Sequence, residues 1–366
     1  MINALFLDPR IWKIDYLTSP YWNPEKFGVK FDLHPSAFNI PKTGVDKKYK
    51  VVVATEMWEK PMQATLEYLR NRGLKIVLIP REISPAPIHL KLMYDDPQFE
   101  YKGKCYTEPD VILSPGLKYS ELWNNRCKII KEVGYPRFDV CVDKAKWKTK
   151  DQVLKRHGIE LNKKLIFFPS FPPYHIQLNE KGENYFHELQ DDLQNILKTL
   201  EAYAIRNQAT TQVIVKIHPT AQKCYDKGIG LPNMVHGLLK KYYKQPTSYM
   251  KVIGDIRTDS SVSHELLQIS DLVVGYTSMM MLESIILNKP ILHVQFSQCK
   301  SMKGVMDFST ELETLYTPEK LALALENIPE KNNMDANQSK LIKDYLYKVD
   351  GKFCERVCAE IKNIVG

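Results

Sequence analysis

The sequence predicts an α/β protein of two domains, each built on a parallel sheet, and three observations carry that prediction. Short apolar runs such as Leu165-Ile166-Phe167-Phe168 and Leu272-Val273-Val274 lack the alternation of half-exposed strands, as expected where helices cover both faces of a sheet. These runs alternate with helix-length stretches along the chain, the order that produces parallel strands joined by helical crossovers. The 366 residues exceed what one ordinary hydrophobic core organises and suit two domains of about 150 residues each.

Taken in order, strands are expected at Ala4–Leu7, Lys50–Ala54, Leu74–Ile79 and Val111–Leu113. A helix spans Pro61–Arg72, with Gly73 as its C-terminal stop. Gly134-Tyr135-Pro136-Arg137-Phe138-Asp139 closes the first domain, and Lys144–Lys164 is a charged connector holding a short helix, Asp151–His157. The second domain opens with the strand Lys164–Phe168 and its Pro169-Ser170-Phe171-Pro172-Pro173 exit. Helix Tyr185–Arg206, strand Gln212–Ile217, helix Val235–Lys244, strand Tyr249–Ile253 and helix His264–Ile269 follow. The strand Leu272–Val274, helix Met279–Leu287, strand Pro290–Val294 and one long helix, Gln338–Val365, complete the chain. No internal repeat or low-complexity segment is present.

Composition narrows the partners. Fifty-one Lys and Arg against 43 Asp and Glu give a formal charge of +8. That charge suits a polyanionic partner, and equally serves solubility alone. The seven cysteines show no paired spacing. Cys354 and Cys358 stand one helical turn apart without a His or Cys partner pattern, so zinc is not expected and the setting reads as reduced and cytoplasmic. No apolar run reaches about 18 residues, and Met1–Asp8 reads as a buried strand, not a leader, so no transmembrane segment is expected.

The chemistry-bearing residues gather at strand ends. Thr277 and Ser278 sit between the strand Leu272–Val274 and the following helix, where the first N–H groups lack intrahelical partners and the helix dipole favours an anion. Either hydroxyl is equally well explained as a plain N-cap. Lys216 and His218 lie two residues apart on one strand, so both face the same side, and Pro219 ends the ladder there. Two strand ends carrying donors and cations describe a phosphate site in an open α/β sheet.

Four motifs then resemble one family: Lys216-x-His218-Pro219; Ser270-Asp271 with Tyr276-Thr277-Ser278 and Glu283; Gly134-Tyr135-Pro136-Arg137-x-Asp139; and Asp350-Gly351-Lys352 with Glu355-Arg356-Val357. In this order they are similar to the CDP-glycerol glycerophosphotransferase (teichoic-acid polymerase) group. More loosely, they resemble capsule-building transferases and bacterial sialyltransferases. The resemblance runs from about residue 105 to the C-terminus. It implies a GT-B fold, two Rossmann-like domains facing a cleft, with the donor held mainly by the second. The domains implied are 1–145 on the acceptor side, 146–335 for the nucleotide donor, and a C-terminal helix, 336–366, returning to the first.

The resemblance also assigns roles. Lys216, His218, Thr277 and Ser278 would neutralise the leaving phosphate, Ser170 would lie near the nucleotide, and Glu283 would bond the ribose hydroxyls. The bland alternatives are a turn residue at Ser170 and a buried carboxylate at Glu283. Arg137 reads as a phosphate anchor or as a structural tie through Asp139, the tie being favoured. Teichoic-acid polymerases carry a His-Gly pair after the strand equivalent to Leu74–Ile79, where this chain has Pro80-Arg81-Glu82. Glu82 would then be the general base, with Asp8 and His89 as rivals and Arg81 contacting phosphate or acceptor. Arg10 and Trp12 belong to an aromatic and basic segment, residues 10–27, that would meet the acceptor.

The function expected from the sequence is therefore metal-independent transfer of a sugar from a nucleotide diphosphate or monophosphate donor to a hydroxyl. No cofactor is expected. A teichoic or capsular polymer, an anionic membrane surface, and DNA carrying a hydroxymethylated pyrimidine are the acceptors compatible with it. Glycerophosphate transfer and nucleotide-sugar 2-epimerisation are the alternative reactions, and a non-catalytic nucleic-acid-binding protein is the alternative outside enzymology.

Overall fold

The computed structural model describes residues 1–7, 22–34, 39–55, 60–80, 107–123, 127–142, 147–170, 186–217, 241–254, 262–276, 278–296, 312–328 and 335–366. The chain forms two compact units, Met1–Lys144 with Ser339–Gly366, and Ala145–Gln338.

The first unit contains β1 (Ile2–Leu7), a 3-10 turn at Pro24–Phe27, β2 (Val29–Leu33), α1 (Ile40–Thr43), β3 (Val51–Ala54), α2 (Lys60–Asn71), β4 (Lys75–Leu78), β5 (Val111–Ser114), α3 (Leu117–Trp123), β6 (Ile130–Glu132) and α4 (Pro136–Asp139). Its strands form one six-stranded sheet in the order β2-β1-β3-β4-β5-β6, parallel throughout. β3 and β5 are buried along their whole length, which accounts for the apolar runs Val51–Ala54 and Val111–Leu113. Gly73 ends α2 in the left-handed region, φ +82, while its N–H and that of Leu74 return to Arg70 and Leu69 carbonyls.

β2 and β6 were not expected from the sequence. Both are edge strands with charged, partly exposed residues, Val29-Lys30-Phe31-Asp32-Leu33 and Ile130-Lys131-Glu132, so neither carries the apolar signature of the interior strands. Trp22, in the segment expected to meet the acceptor, packs within this unit, its ring centroid 5.1 Å from Phe31 and 5.9 Å from Phe353.

The single C-terminal helix expected at Gln338–Val365 is two. They are numbered α10 (Asp335–Leu346) and α11 (Phe353–Val365), after the second unit's elements. Tyr347 at φ 57 and Gly351 at φ 74 take left-handed conformations that break the helix between them. The returning segment is held by backbone proximity and by one carboxylate. A Cβ on Gly116 would stand 2.5 Å from the Tyr345 carbonyl carbon and 2.7 Å from the Leu346 nitrogen, so glycine is what lets α10 approach the β5–α3 turn. Lys118 Nζ bonds Tyr345 Oη at 2.7 Å.

The Gly-Tyr-Pro-Arg-x-Asp and Asp-Gly-Lys…Arg motifs meet here. Asp139 accepts hydrogen bonds from the Gly351 and Phe353 backbone N–H groups, both at 3.1 Å, and so caps α11. Arg356 donates to both Asp350 carboxylate oxygens at 2.8 and 2.9 Å and to the Val133 carbonyl at 2.7 Å. α11 then buries Phe353, Cys354, Val357, Cys358 and Ile361 along one stripe. Arg137 sits on α4 beside this tie, partly buried.

Asp139 is 2 % exposed, and burial pushes its carboxyl up to about 6 against the two N–H bonds and the Arg356 charge. A carboxyl raised in the folded state adds stability that is complete below its unfolded value and is lost as pH rises through about 6. Between pH 5 and 7.5 the loss amounts to roughly 1 kcal/mol. Urea unfolding of the Asp139→Asn variant is expected to lack this downward slope. The same slope in variant and wild type would refute the assignment.

The second unit contains α5 (Lys150–His157), β7 (Lys164–Pro169), α6 (Phe186–Arg206), β8 (Thr211–Lys216), β9 (Met250–Ile253), α7 (Val262–Ile269), β10 (Leu272–Gly275), α8 (Met279–Ile286), β11 (Ile291–Val294), β12 (Thr314–Leu315) and α9 (Pro318–Glu326). Residues 241–244 are helical; the rest of the expected helix Val235–Lys244 lies outside the described residues. The sheet is again six-stranded and parallel, in the order β12-β11-β10-β7-β8-β9. Alternate strand residues divide between two cores. Phe168, Val215 and Val274 pack with α6 and α9, while Phe167, Ile214 and Val273 pack with α5, α7 and α8.

The charged connector is anchored to this second core. Thr149 and Gln152 form a capping box that starts α5, and Gly158 ends the helix at φ +58. Lys148, Arg156 and His157 converge on Glu265 of α7 at 2.5, 2.7 and 3.1 Å. Burial alone would raise the Glu265 carboxyl. The hydrogen bonds from Lys148 and His157 and the neighbouring positive charges outweigh it and hold the group below the usual carboxylate range.

Candidate functional site

In the second sheet the chain runs outward from β7 through β8 to β9, then returns to the other side of β7 as β10. The reversal between β7 and β10 is the topological switch point, and ligands of open α/β sheets bind beyond the carboxyl ends of the strands that flank it. Ser170 follows β7, Gly275 ends β10 with Ser278 opening the next helix, and Lys216 ends β8, next to β7.

The register sets these groups side by side. Pro169 pairs with Lys216 across β7 and β8, and the Ser170 N–H donates to the Lys216 carbonyl at 2.9 Å. Phe167 pairs with Val273, so Gly275 falls level with Pro169 on the opposite side. Lys216 shares the strand parity of Ile214, whose side chain packs in the core that contains Met280 of α8. The lysine therefore lies on the face of the sheet where α8 begins. Its side chain is 7 % exposed, and Ser170 is 6 % exposed.

Ser278 is the N-cap of α8: its Oγ accepts from the Met280 N–H at 3.2 Å. The cap reading is thus realised for Ser278, and the remaining first-turn N–H groups stay with the helix N-terminus as anion donors. A side chain at Gly275 would run into the Met281 sulfur, so glycine keeps the strand end close to the first turn of α8.

Glu283 is fully buried on α8, with its Oε2 3.4 Å from His264 Nδ1 on α7. His293 on β11 pairs with Gly275 and is 1 % exposed. Its Nδ1 lies 2.8 Å from the Thr314 hydroxyl, which itself donates to the Leu312 carbonyl at 3.2 Å, so the histidine donates through Nδ1. The sequence reading left His264 and His293 unassigned. Their partners come from other elements of the sheet and helix layers, and no local spacing announces them.

His218 and Thr277 lie outside the described residues, each directly adjoining a described one, Ile217 and Ser278. So do Asp8, Arg10, Trp12, Arg81, Glu82 and His89 of the first unit. The switch point of the first sheet falls between β1 and β3. Leu7 and Thr55 stand there, and the Thr55 N–H donates to the Leu7 carbonyl at 3.3 Å, immediately before Asp8. β4 leads through buried Ile79 and Pro80 towards Arg81. Among the described residues no group of three or more His, Cys, Asp or Glu could hold a metal ion.

Solved structures share this architecture. The wall teichoic acid polymerase TagF superposes with a TM-score of 0.54 at 16% identity, over 99% of this chain and 88% of that one. A putative UDP-N-acetylglucosamine 2-epimerase from Listeria monocytogenes gives 0.60 at 12% identity, covering 99% and 96% of the two chains. The UDP-GlcNAc 2-epimerase from Methanocaldococcus jannaschii gives 0.59 at 14%, covering 99% of each. The fold is the GT-B type, with α10 and α11 returning to the first unit. No curated protein sequence matches the chain. The family model for CDP-Glycerol:Poly(glycerophosphate) glycerophosphotransferase matches residues 98–363, which takes in all four motifs. The chain belongs to the CDP-glycerol:poly(glycerophosphate) glycerophosphotransferase family.

Proposed function

We propose that this protein transfers an alcohol phosphate of the glycerophosphate kind from a CDP-linked donor to a hydroxyl on a polyanionic polymer, in the cytoplasm and without a metal ion. The observation that carries the reading is the meeting of Ser170, Lys216 and the Ser278-capped start of α8 around one switch point. In the reaction the acceptor oxygen attacks the phosphorus that bears the alcohol, the pyrophosphate P–O bond breaks, and CMP departs with a developing negative charge. Lys216, His218 and the first N–H groups of α8 stabilise that charge where it forms. Thr277 adds a hydroxyl, and Glu283, oriented by His264, reaches the ribose. Glu82 accepts the acceptor proton, with Asp8 and His89 as its rivals, while Arg81, Arg10 and Trp12 meet the acceptor.

The departure from a His-Gly pair at Pro80-Arg81-Glu82 led the sequence reading towards a sugar as the transferred group. Family membership now supports alcohol-phosphate transfer, and a polymer over DNA or a membrane surface as acceptor. Sugar transfer stays as a second reading, favoured by Glu82 and by the UDP-N-acetylglucosamine 2-epimerase folds. No helix among the described residues is long and apolar enough to cross a membrane.

The product separates the readings, because attack at phosphorus releases a nucleoside monophosphate and attack at an anomeric carbon of a sugar diphosphate donor releases a nucleoside diphosphate. CDP-glycerol with a glycerol phosphate oligomer is expected to yield CMP at a rate unchanged by EDTA. Release of UDP from a UDP-sugar, with no reaction of CDP-glycerol, would overturn the proposal. Loss of the reaction in EDTA, restored by magnesium, would overturn its metal independence.

A further inference from the structure

We infer that the amino edge of the first sheet is a holding site for the phosphodiester chain of the acceptor polymer, separate from the site of transfer; this rests on the reading of the acceptor as a polyanion. A groove of about 660 Å³ opens at this edge, between the starts of β4, β5 and β6 and the last turn of α11. Its cations are Arg70, Lys75, Lys128 and Lys131, and its acids are Glu108, Asp110 and Glu360. Two of the cations are already engaged: Arg70 and Lys75 reach Asp110 at 3.5 and 3.9 Å. Arg70 also bonds the Glu108 carbonyl. Lys128 and Lys131 are exposed and have no ion-pair partner among the described residues.

Positive charge continues along the same edge. Lys50, exposed at the start of β3, accepts the Lys75 N–H on its carbonyl at 3.1 Å. Lys362 of α11 places its ammonium 3.4 Å from where a Cβ on Gly28 would stand, at the entrance to β2. Neighbouring strands lie about 4.8 Å apart, so the starts of β4 and β6 are separated by about 10 Å, and flexible lysines from both can engage one extended chain. Four-residue strands place the opposite, carboxyl edge of this sheet about 13 Å away.

A polymer of repeated phosphates fits these features better than a bilayer. The groove is lined mainly by charged side chains with few apolar ones, Ile129 and Ile364 foremost, whereas surface helices that enter a membrane bury a broad apolar face. Lys131 also guards the edge strand β6 against pairing with another chain, but Lys128 lies outside that strand and has no such duty.

The test uses the full chain and a Lys128→Glu/Lys131→Glu variant, with Lys155→Glu/Lys164→Glu on the second unit as a control of equal charge change. Binding of a labelled glycerol phosphate oligomer is followed by fluorescence anisotropy at two salt concentrations, after thermal unfolding has shown that all three proteins fold. The groove variant is expected to bind at least tenfold more weakly, with its salt dependence reduced by about two ions, while the control stays within threefold of wild type. CMP release with a short acceptor should stay within twofold of wild type. Equal weakening in both variants, or none in the groove variant, would overturn the site. So would loss of binding to phosphatidylglycerol vesicles with oligomer binding intact. The anisotropy needs no turnover, so failure of the transfer reaction in wild type would count against the proposed function and leave the binding result to be read by itself.

Discussion

His218→Ala is expected to lower the transfer rate about a hundred- to a thousand-fold while leaving the protein folded. The residue follows Ile217, which is buried in the core of the second unit and whose N–H bonds the Ile253 carbonyl at 2.9 Å. The described backbone is therefore held up to Ile217, and the His218 side chain that follows is the one proposed to serve the leaving phosphate. Removing one electrostatic donor from a developing charge typically costs about 2.7–4 kcal/mol of barrier, which is the rate factor given. Single-turnover measurements on the alanine variant, with circular dichroism to check the fold, provide the test. A folded variant turning over at near wild-type rate would remove His218 from the site.

Glu82→Gln is the second large effect, a rate lowered about a hundred-fold or more with nearly unchanged donor affinity. Glutamine keeps the size of the side chain and removes the group that accepts a proton, so only a general base should respond in this divided way. Arg81 offers the competing explanation, a local ion pair with no part in catalysis. Donor dissociation constant and single-turnover rate measured on the same variant distinguish them, since a local pair leaves the rate within a few-fold of wild type. In that event the search moves to Asp8 and His89.

What could be read from the sequence follows the physics of burial. The interior strands β3, β5, β7 and β10 are covered on both faces and so are spelled mostly in consecutive apolar residues, while β8, equally buried, has polar residues at both ends and was read from its alternation. Of the four strands that border the sheets, β2, β6 and the two-residue β12 lost the strand signal to charge or short length, while β9, Met250–Ile253, kept enough apolar residues to be read. The apolar stripe of the last helix was visible. The left-handed Tyr347 and Gly351 that split it were not, since Tyr347 lacks the usual residue type for that conformation.

At the site, Ser170, Lys216 and Ser278 were found from strand ends and helix starts, both of which are local signals. The histidines beside Glu283 and Gly275 depend on contacts across the layers and have no local signature. The two motifs around Asp139 and Arg356 carried family resemblance, and a structural tie through Asp139 was the favoured reading, but the groups it would hold were not legible. The structure shows the two motifs fastening the returning C-terminal segment to the first unit.

The claim that matters most is that the donor binds at the carboxyl edge of the second sheet. Hydrogen exchange of the full chain with and without saturating CDP-glycerol tests it directly. Protection is expected in peptides covering the exit of β7 at Ser170, the end of β8 at Lys216 and His218, and the turn from Gly275 into the first turn of α8, with little change along the amino edge of the first sheet. Protection confined to the first unit, or none at a donor concentration that stabilises the protein, would contradict the placement of the donor and the roles drawn from it.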